Sequence, residues 1–138
     1  AELLIHADDL PLLQNARNHA EVYGLSVAVS PEPDRLLDQG DTFQVGELAF
    51  SVFHVPGHSP GGICLMAEAH LFVGDVLFAG SIGRTDLPGG DFDSLVKGVR
   101  ERLFTLPDET IVHPGHGPDT TIGRERQSNP FVGDAAVR

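Results

Sequence analysis

Apolar residues recur along this chain in two rhythms, and the switches between them mark out its elements. A short run over residues 3–7 reads as a buried strand. Behind it, Asp8 or Asp9 can cap a helix whose first turn tolerates Pro11, with Leu13, Ala16 and Ala20 at helical spacing and Gly24 as its stop. Residues 30–34 form a proline-bearing loop. Strand-like runs over 42–45 and 48–53 flank Gly46 and Glu47 and predict a hairpin. Runs over 63–66 and 71–73 predict a second. After Asp75, residues 76–79 lead into a loop over 80–86. Leu95, Val99 and Leu103 share one helix face behind a cap at Asp91 or Asp93, and Pro107 stops that helix. Residues 110–112 read as the last strand and 121–128 as a short closing helix. Hairpins followed by strand–helix units predict a mixed sheet with helices on at least one face.

Three glycine-bearing segments each follow an apolar run: Pro56-Gly57-His58-Ser59-Pro60-Gly61-Gly62, Val73-Gly74-Asp75 and Pro114-Gly115-His116-Gly117-Pro118. Each places one metal-competent side chain just past a strand. In α/β sheets, ligands bind at the carboxyl ends of strands, so His58, Asp75 and His116 can converge there. A lone Pro-Gly-His reads as a turn histidine. Two copies with a Gly-Asp between them read as ligands. Asp75 alone could be a turn residue or a cap; as a ligand it offers two oxygens, enough to bridge two cations.

The remaining titratable residues carry less. Of the seven histidines, His6, His19 and His70 sit singly and read as ordinary surface or satisfied residues. His54 and His113 each precede a glycine-flanked histidine and can support it from behind. Arg84 and Asp86 read as a pair that holds their loop. Gly123-Arg124-Glu125-Arg126 reads as a solvated helix face.

Composition narrows the function classes. A chain of 138 residues is one domain by length, and 41% apolar with 21% charged residues describes an ordinary globular protein. Nine basic against 20 acidic residues give a net charge of −11, which argues against nucleic acid and against an anionic membrane surface. The single cysteine, Cys64, lies in an apolar run, where a small buried core residue is expected rather than a nucleophile. It fits a reducing, cytoplasmic setting. No apolar stretch is long enough to span a membrane.

These segments resemble the metallo-β-lactamase superfamily, and within it the glyoxalase II-like (hydroxyacylglutathione hydrolase) branch. The resemblance rests on the segment at Pro56, on residues 77–91 (Leu77-Phe78-Ala79-Gly80-Ser81-Ile82-Gly83-Arg84-Thr85-Asp86-Leu87-Pro88-Gly89-Gly90-Asp91), and on His113-Pro114-Gly115-His116-Gly117-Pro118-Asp119 with Glu125 and Asn129-Pro130 beyond it. It implies an α/β (α+β) fold, an αββα sandwich. It further implies a two-metal site in which His58 binds the first metal, Asp75 bridges as the catalytic carboxylate, and His116 binds the second. Two zinc ions are implied, with iron or manganese as alternatives, and a metal-activated hydroxide attacking a small-molecule thioester.

The family's His-x-His-x-Asp-His motif has no counterpart here: His6 is followed by Ala7-Asp8-Asp9. The chain also opens on Ala1 in a strand-like run, with Met66 as its one methionine. Residues 1–138 are therefore expected to be the C-terminal two-thirds of such a domain, N-terminally incomplete. The extra C-terminal region with which larger glyoxalase II enzymes grip glutathione has no match after Asn129-Pro130, so the thiol carrier stays open. Alone, the chain is expected to bind metal weakly or not at all and to be inactive, and an exposed sheet edge and apolar face invite a second chain or a homo-oligomer. The alternatives are a persulfide dioxygenase-like enzyme with one iron, or a non-catalytic metal-binding or interaction module.

Overall fold

Six strands in the order β10-β9-β6-β5-β4-β3 make the main sheet of the computed structural model, which describes residues 4–6, 8 and 35–134. The expected helix ending at Gly24 and the loop over 30–34 lie outside the described residues. The first expected strand is present as β1 (Leu4–His6), paired in parallel with β2 (Arg35–Leu37) in a separate two-stranded sheet. Both expected hairpins form. β3 (Thr42–Val45) turns through Gly46 and Glu47 into β4 (Leu48–His54), and β5 (Ile63–Ala67) turns into β6 (His70–Gly74).

β9 (Ile111–Pro114) then lies parallel to β6, and the whole run β4-β5-β6-β9 has a consequence for direction. Since β4 and β6 are each antiparallel to β5, strands β4, β6 and β9 all point the same way. Their carboxyl ends open on one edge of the sheet.

Two expectations need correction. The stretch after Gly80 is more than a loop, because β7 (Leu77–Phe78) and β8 (Ser81–Ile82) close a small antiparallel hairpin. Nor is β9 the last strand, since β10 (Thr120–Thr121) pairs antiparallel with it. Strands of two residues leave too little periodicity to be read from sequence.

α1 (Phe92–Gly98) starts where Asp91 Oδ1 accepts the Ser94 N–H at 3.1 Å, and it continues as a π-helical turn over Val99–Leu103. Leu95, Val99 and Leu103 are fully buried on its inner face. They pack with Val55, Cys64, Leu71, Val73 and Val112 to form the core between helix and sheet. α2 (Ile122–Ser128) is capped by Thr121, whose hydroxyl accepts the Arg124 N–H, and adds Ile122 to that core. The alternation of the strands turns a different set of side chains to the other face. There, ring contacts link Phe43 to Phe50, Phe50 to Phe72, and Phe72 to His113 and on to His70, with centroids 5.0–6.3 Å apart. Among the described residues, no helix is long and apolar enough to cross a membrane.

Candidate metal centre

Each of the three expected ligands sits just beyond one of the co-directional strands, and the structure brings them together. His58 follows β4, Asp75 follows β6 and His116 follows β9. The parallel register of β6 and β9 sets Gly74 beside Pro114, and the Gly115 N–H donates to Gly74 O at 2.8 Å, so the loops carrying Asp75 and His116 are stitched together. Asp75 stands between the two imidazoles. Its Oδ2 faces His58 Nε2 at 3.7 Å and its Oδ1 faces His116 Nδ1 at 3.3 Å.

The orientation of His58 has a specific cause. Its Nδ1 lies 2.9 Å from the Arg84 carbonyl oxygen. A carbonyl only accepts, so Nδ1 carries the proton and the neutral ring keeps its lone pair at Nε2, the atom turned to Asp75. His116 packs against Phe78, with ring centroids 4.7 Å apart. The three side chains, with Phe78, Gly83 and Arg84, line a cleft of about 250 Å³. The Asp75 side chain is 44% exposed and that of His116 75%, so solvent weakens their mutual attraction and leaves the donors accessible. A second cleft of similar volume, between β4 and α1, contains His54, Lys97, Glu101 and Arg102. Its one imidazole is already bonded through Nε2 to Pro60 O at 2.9 Å, so the donor chemistry favours the first.

Two glycines make the crowding around Asp75 possible. A Cβ at Gly83 would fall 1.8 Å from the Asp75 carbonyl oxygen, and one at Gly115 would lie 3.1 Å from Asp75 Oδ1. The carboxylate is thus cradled by bare backbone on one side and imidazoles on the other. Nitrogen and carboxylate donors of this kind suit zinc or iron. The two imidazoles flank the carboxylate rather than enclose one point with it: among the described residues, no three His, Cys, Asp or Glu side chains are grouped to hold a single ion.

The other candidates resolve as follows. His54 and His113 each close the loop that carries a central histidine. His54 Nε2 donates to Pro60 O, and His113 Nδ1 lies 3.2 Å from Asp119 Oδ2 across the His116 loop. His70, read as solitary, is instead bonded to His113, Nδ1 to Nε2 at 2.9 Å. Arg84 and Asp86 pair as expected, through two bonds of 2.8 and 2.9 Å. The hydrogen bond holds the Asp86 carboxyl below its usual range and raises the Arg84 guanidinium above its own. Cys64 is fully buried, and desolvation pushes its thiol far up, which removes it as a nucleophile. Glu125 departs most from expectation. It is not on a solvated face but 1% exposed, bonded to Gly80, Thr120 and Asn129.

The sequence profile of the metallo-beta-lactamase superfamily matches residues 1–116, and the chain belongs to that superfamily. Hydroxyacylglutathione hydrolase GloC of Haemophilus influenzae is 40% identical over 124 residues, 88% of this chain and 58% of that protein, which supports the glyoxalase II-like branch. Among solved structures, a di-iron-bound form of TTHA1623 is 45% identical with a TM-score of 0.80, covering 94% of this chain and 64% of that one. BLEG-1 B3 metallo-beta-lactamase is 41% identical with a TM-score of 0.83, over 95% of this chain and 65% of that one. With these neighbours, the expected mixed α/β fold of the metallo-β-lactamase type holds. The chain spans about half the length of the curated relatives it matches.

Proposed function

We propose that this chain serves a metal-dependent thioester hydrolase of the glyoxalase II-like type, with His58, Asp75 and His116 as metal donors and zinc as the metal. One observation carries the reading: a single carboxylate turns its two oxygens to two imidazoles, all three at the same edge of the sheet. Bound divalent cations supply Lewis acidity there, polarising a carbonyl and acidifying water towards neutrality.

The chain's own residues set the conditions. Arg84 O accepts a hydrogen bond from the His58 Nδ1–H and leaves the Nε2 lone pair free as the metal donor. Gly115 brings bare backbone against Asp75 Oδ1 and keeps the carboxylate between its partners. Phe78 holds the ring of the exposed His116. The open cleft admits a thioester from solvent, and burial of Cys64 fits a reaction without a protein nucleophile. The test is thiol release from a panel of hydroxyacyl thioesters by zinc-loaded protein of the relatives' full length. Asp75→Asn should lower turnover by about 10²-fold or more. Wild-type turnover in that variant would contradict the reading.

The second reading is a persulfide dioxygenase-like enzyme, since two histidines and one carboxylate are also the donor types of a mononuclear non-haem iron centre, although here the imidazoles stand on either side of Asp75 and not around one point. One iron per chain with oxygen uptake would select it. Two metals per chain with thiol release select the hydrolase.

A further inference from the structure

We infer that Glu125 is a positioning residue for His58, acting through the β7–β8 hairpin. Burying a carboxylate is costly unless its oxygens are bonded, and Glu125 at 1% exposure is among the most deeply buried side chains described. Its Oε1 accepts the Gly80 N–H at 2.8 Å and Asn129 Nδ2 at 3.0 Å, and its Oε2 accepts the Thr120 hydroxyl at 2.5 Å. These three donors are neutral. The carboxylate is kept for the number of bonds it accepts, and one of them reaches across to another element.

The grip is double. Glu125 and Asn129 are one turn apart on and just after α2, and they hold adjacent residues at the start of β8. Glu125 takes the N–H of Gly80, while Asn129 Nδ2 donates to Ser81 O at 3.1 Å. Asn129 is itself fixed, since its Oδ1 accepts the N–H groups of Phe131 and Val132 at 2.9 and 3.2 Å. From this anchor β8 pairs back on β7, and the Gly83 N–H donates to Val76 O at 3.1 Å. Gly83 then lies against the Asp75 backbone with no space for a Cβ. The next residue is Arg84, whose carbonyl accepts the hydrogen bond of the His58 Nδ1–H. The buried carboxylate therefore fixes where that carbonyl stands, and with it the tautomer of His58.

The inference deepens the metal reading, on which the use of His58 rests, but its test needs no metal. Nitrogen-resolved NMR of the metal-free protein, at a pH where His58 is neutral, reads the ratio of its Nδ1–H to Nε2–H forms. The wild type should be dominated by Nδ1–H. Glu125→Leu should lower the ratio about fivefold, the bias one hydrogen bond gives. Glu125→Gln still offers an oxygen to the Gly80 N–H and should restore the ratio. Thr120→Val removes a different bond of the same carboxylate and should lower the melting temperature while leaving the ratio alone. Should Glu125→Leu fail to fold, Glu125→Asp, one methylene shorter, should speed Gly80 amide exchange and shift the ratio the same way. An unchanged ratio in Glu125→Leu, or in Glu125→Asp with a freely exchanging Gly80 amide, would overturn the inference. So would Thr120→Val shifting the ratio as far as Glu125→Leu. A confirmed tautomer effect with no metal uptake at His58 would instead count against the metal reading alone.

Discussion

Replacing Gly83 with alanine should damage the centre without altering any donor. The added Cβ would meet the Asp75 carbonyl oxygen at 1.8 Å, the carbonyl carbon at 3.1 Å and His58 Cβ at 3.3 Å. Carbon and carbonyl oxygen rarely approach closer than about 3.3 Å, so one segment must retreat by roughly 1.5 Å. The obstacle is backbone and cannot rotate away. Gly83 does not occupy the left-handed region, so the whole effect is steric. Overpacking of this kind costs about 1–3 kcal/mol. For a domain of this size that is a fall of about 3 to 12 °C in Tm. Moving Asp75 by an ångström or more should also cost about 10²-fold in turnover. Thermal melts and thiol release should be measured beside Gly46→Ala. Gly46 has φ 61° and nothing within 4 Å of a Cβ. That control pays only a backbone preference of about 1–2 kcal/mol and should keep its turnover. Wild-type Tm and turnover in Gly83→Ala would refute the reasoning.

Three further outcomes follow from the same geometry. The buried Cys64 thiol has its pKa raised by desolvation, so the native state holds that proton more tightly than the unfolded chain. Its stabilising effect is complete below about pH 8.5 and declines as pH rises above the unfolded value, so Tm should fall on the alkaline side, less steeply in Cys64→Ala, and a thiol reagent should label Cys64 only in denaturant. Asp119→Ala opens the clasp to His113 and, the carboxylate being exposed, should change stability by under about 1 kcal/mol. Amide exchange over residues 115–118 should nevertheless quicken, and an unchanged rate would count against the clasp. Arg84→Ala removes the pair with Asp86 but leaves the carbonyl that holds His58. It should loosen the loop or weaken metal retention, whereas lost turnover at unchanged metal content and Tm would make that side chain catalytic.

Much of this was legible because the decisive residues repeat a local pattern. His58, Asp75 and His116 could be paired with strand ends from sequence, and the common direction of β4, β6 and β9 is what makes those ends one place. Leu95, Val99 and Leu103 announced the buried helix face by spacing alone. β8 and β10 were missed because two residues carry no period. The Arg84–Asp86 pair was legible, but the contact of the Arg84 carbonyl with His58 was not, since a carbonyl leaves no trace in residue identity. Glu125 was misread for a related reason. Flanked by two arginines it looks solvated, and only the tertiary approach of Gly80 and Thr120 shows why a carboxylate is buried there. His70 likewise gains its meaning from a strand 43 residues away.

Whether Asp75 joins His58 and His116 in one metal centre can be read from a zinc titration followed through the histidine side-chain NMR signals. With one histidine and a shared carboxylate per cation, residues 1–138 should bind weakly but measurably. His58 and His116 should respond together, His70 and His113 should stay put, and Asp75→Asn should abolish both responses. A response at His70 and His113 instead, or His58 and His116 responding unchanged in Asp75→Asn, would contradict it.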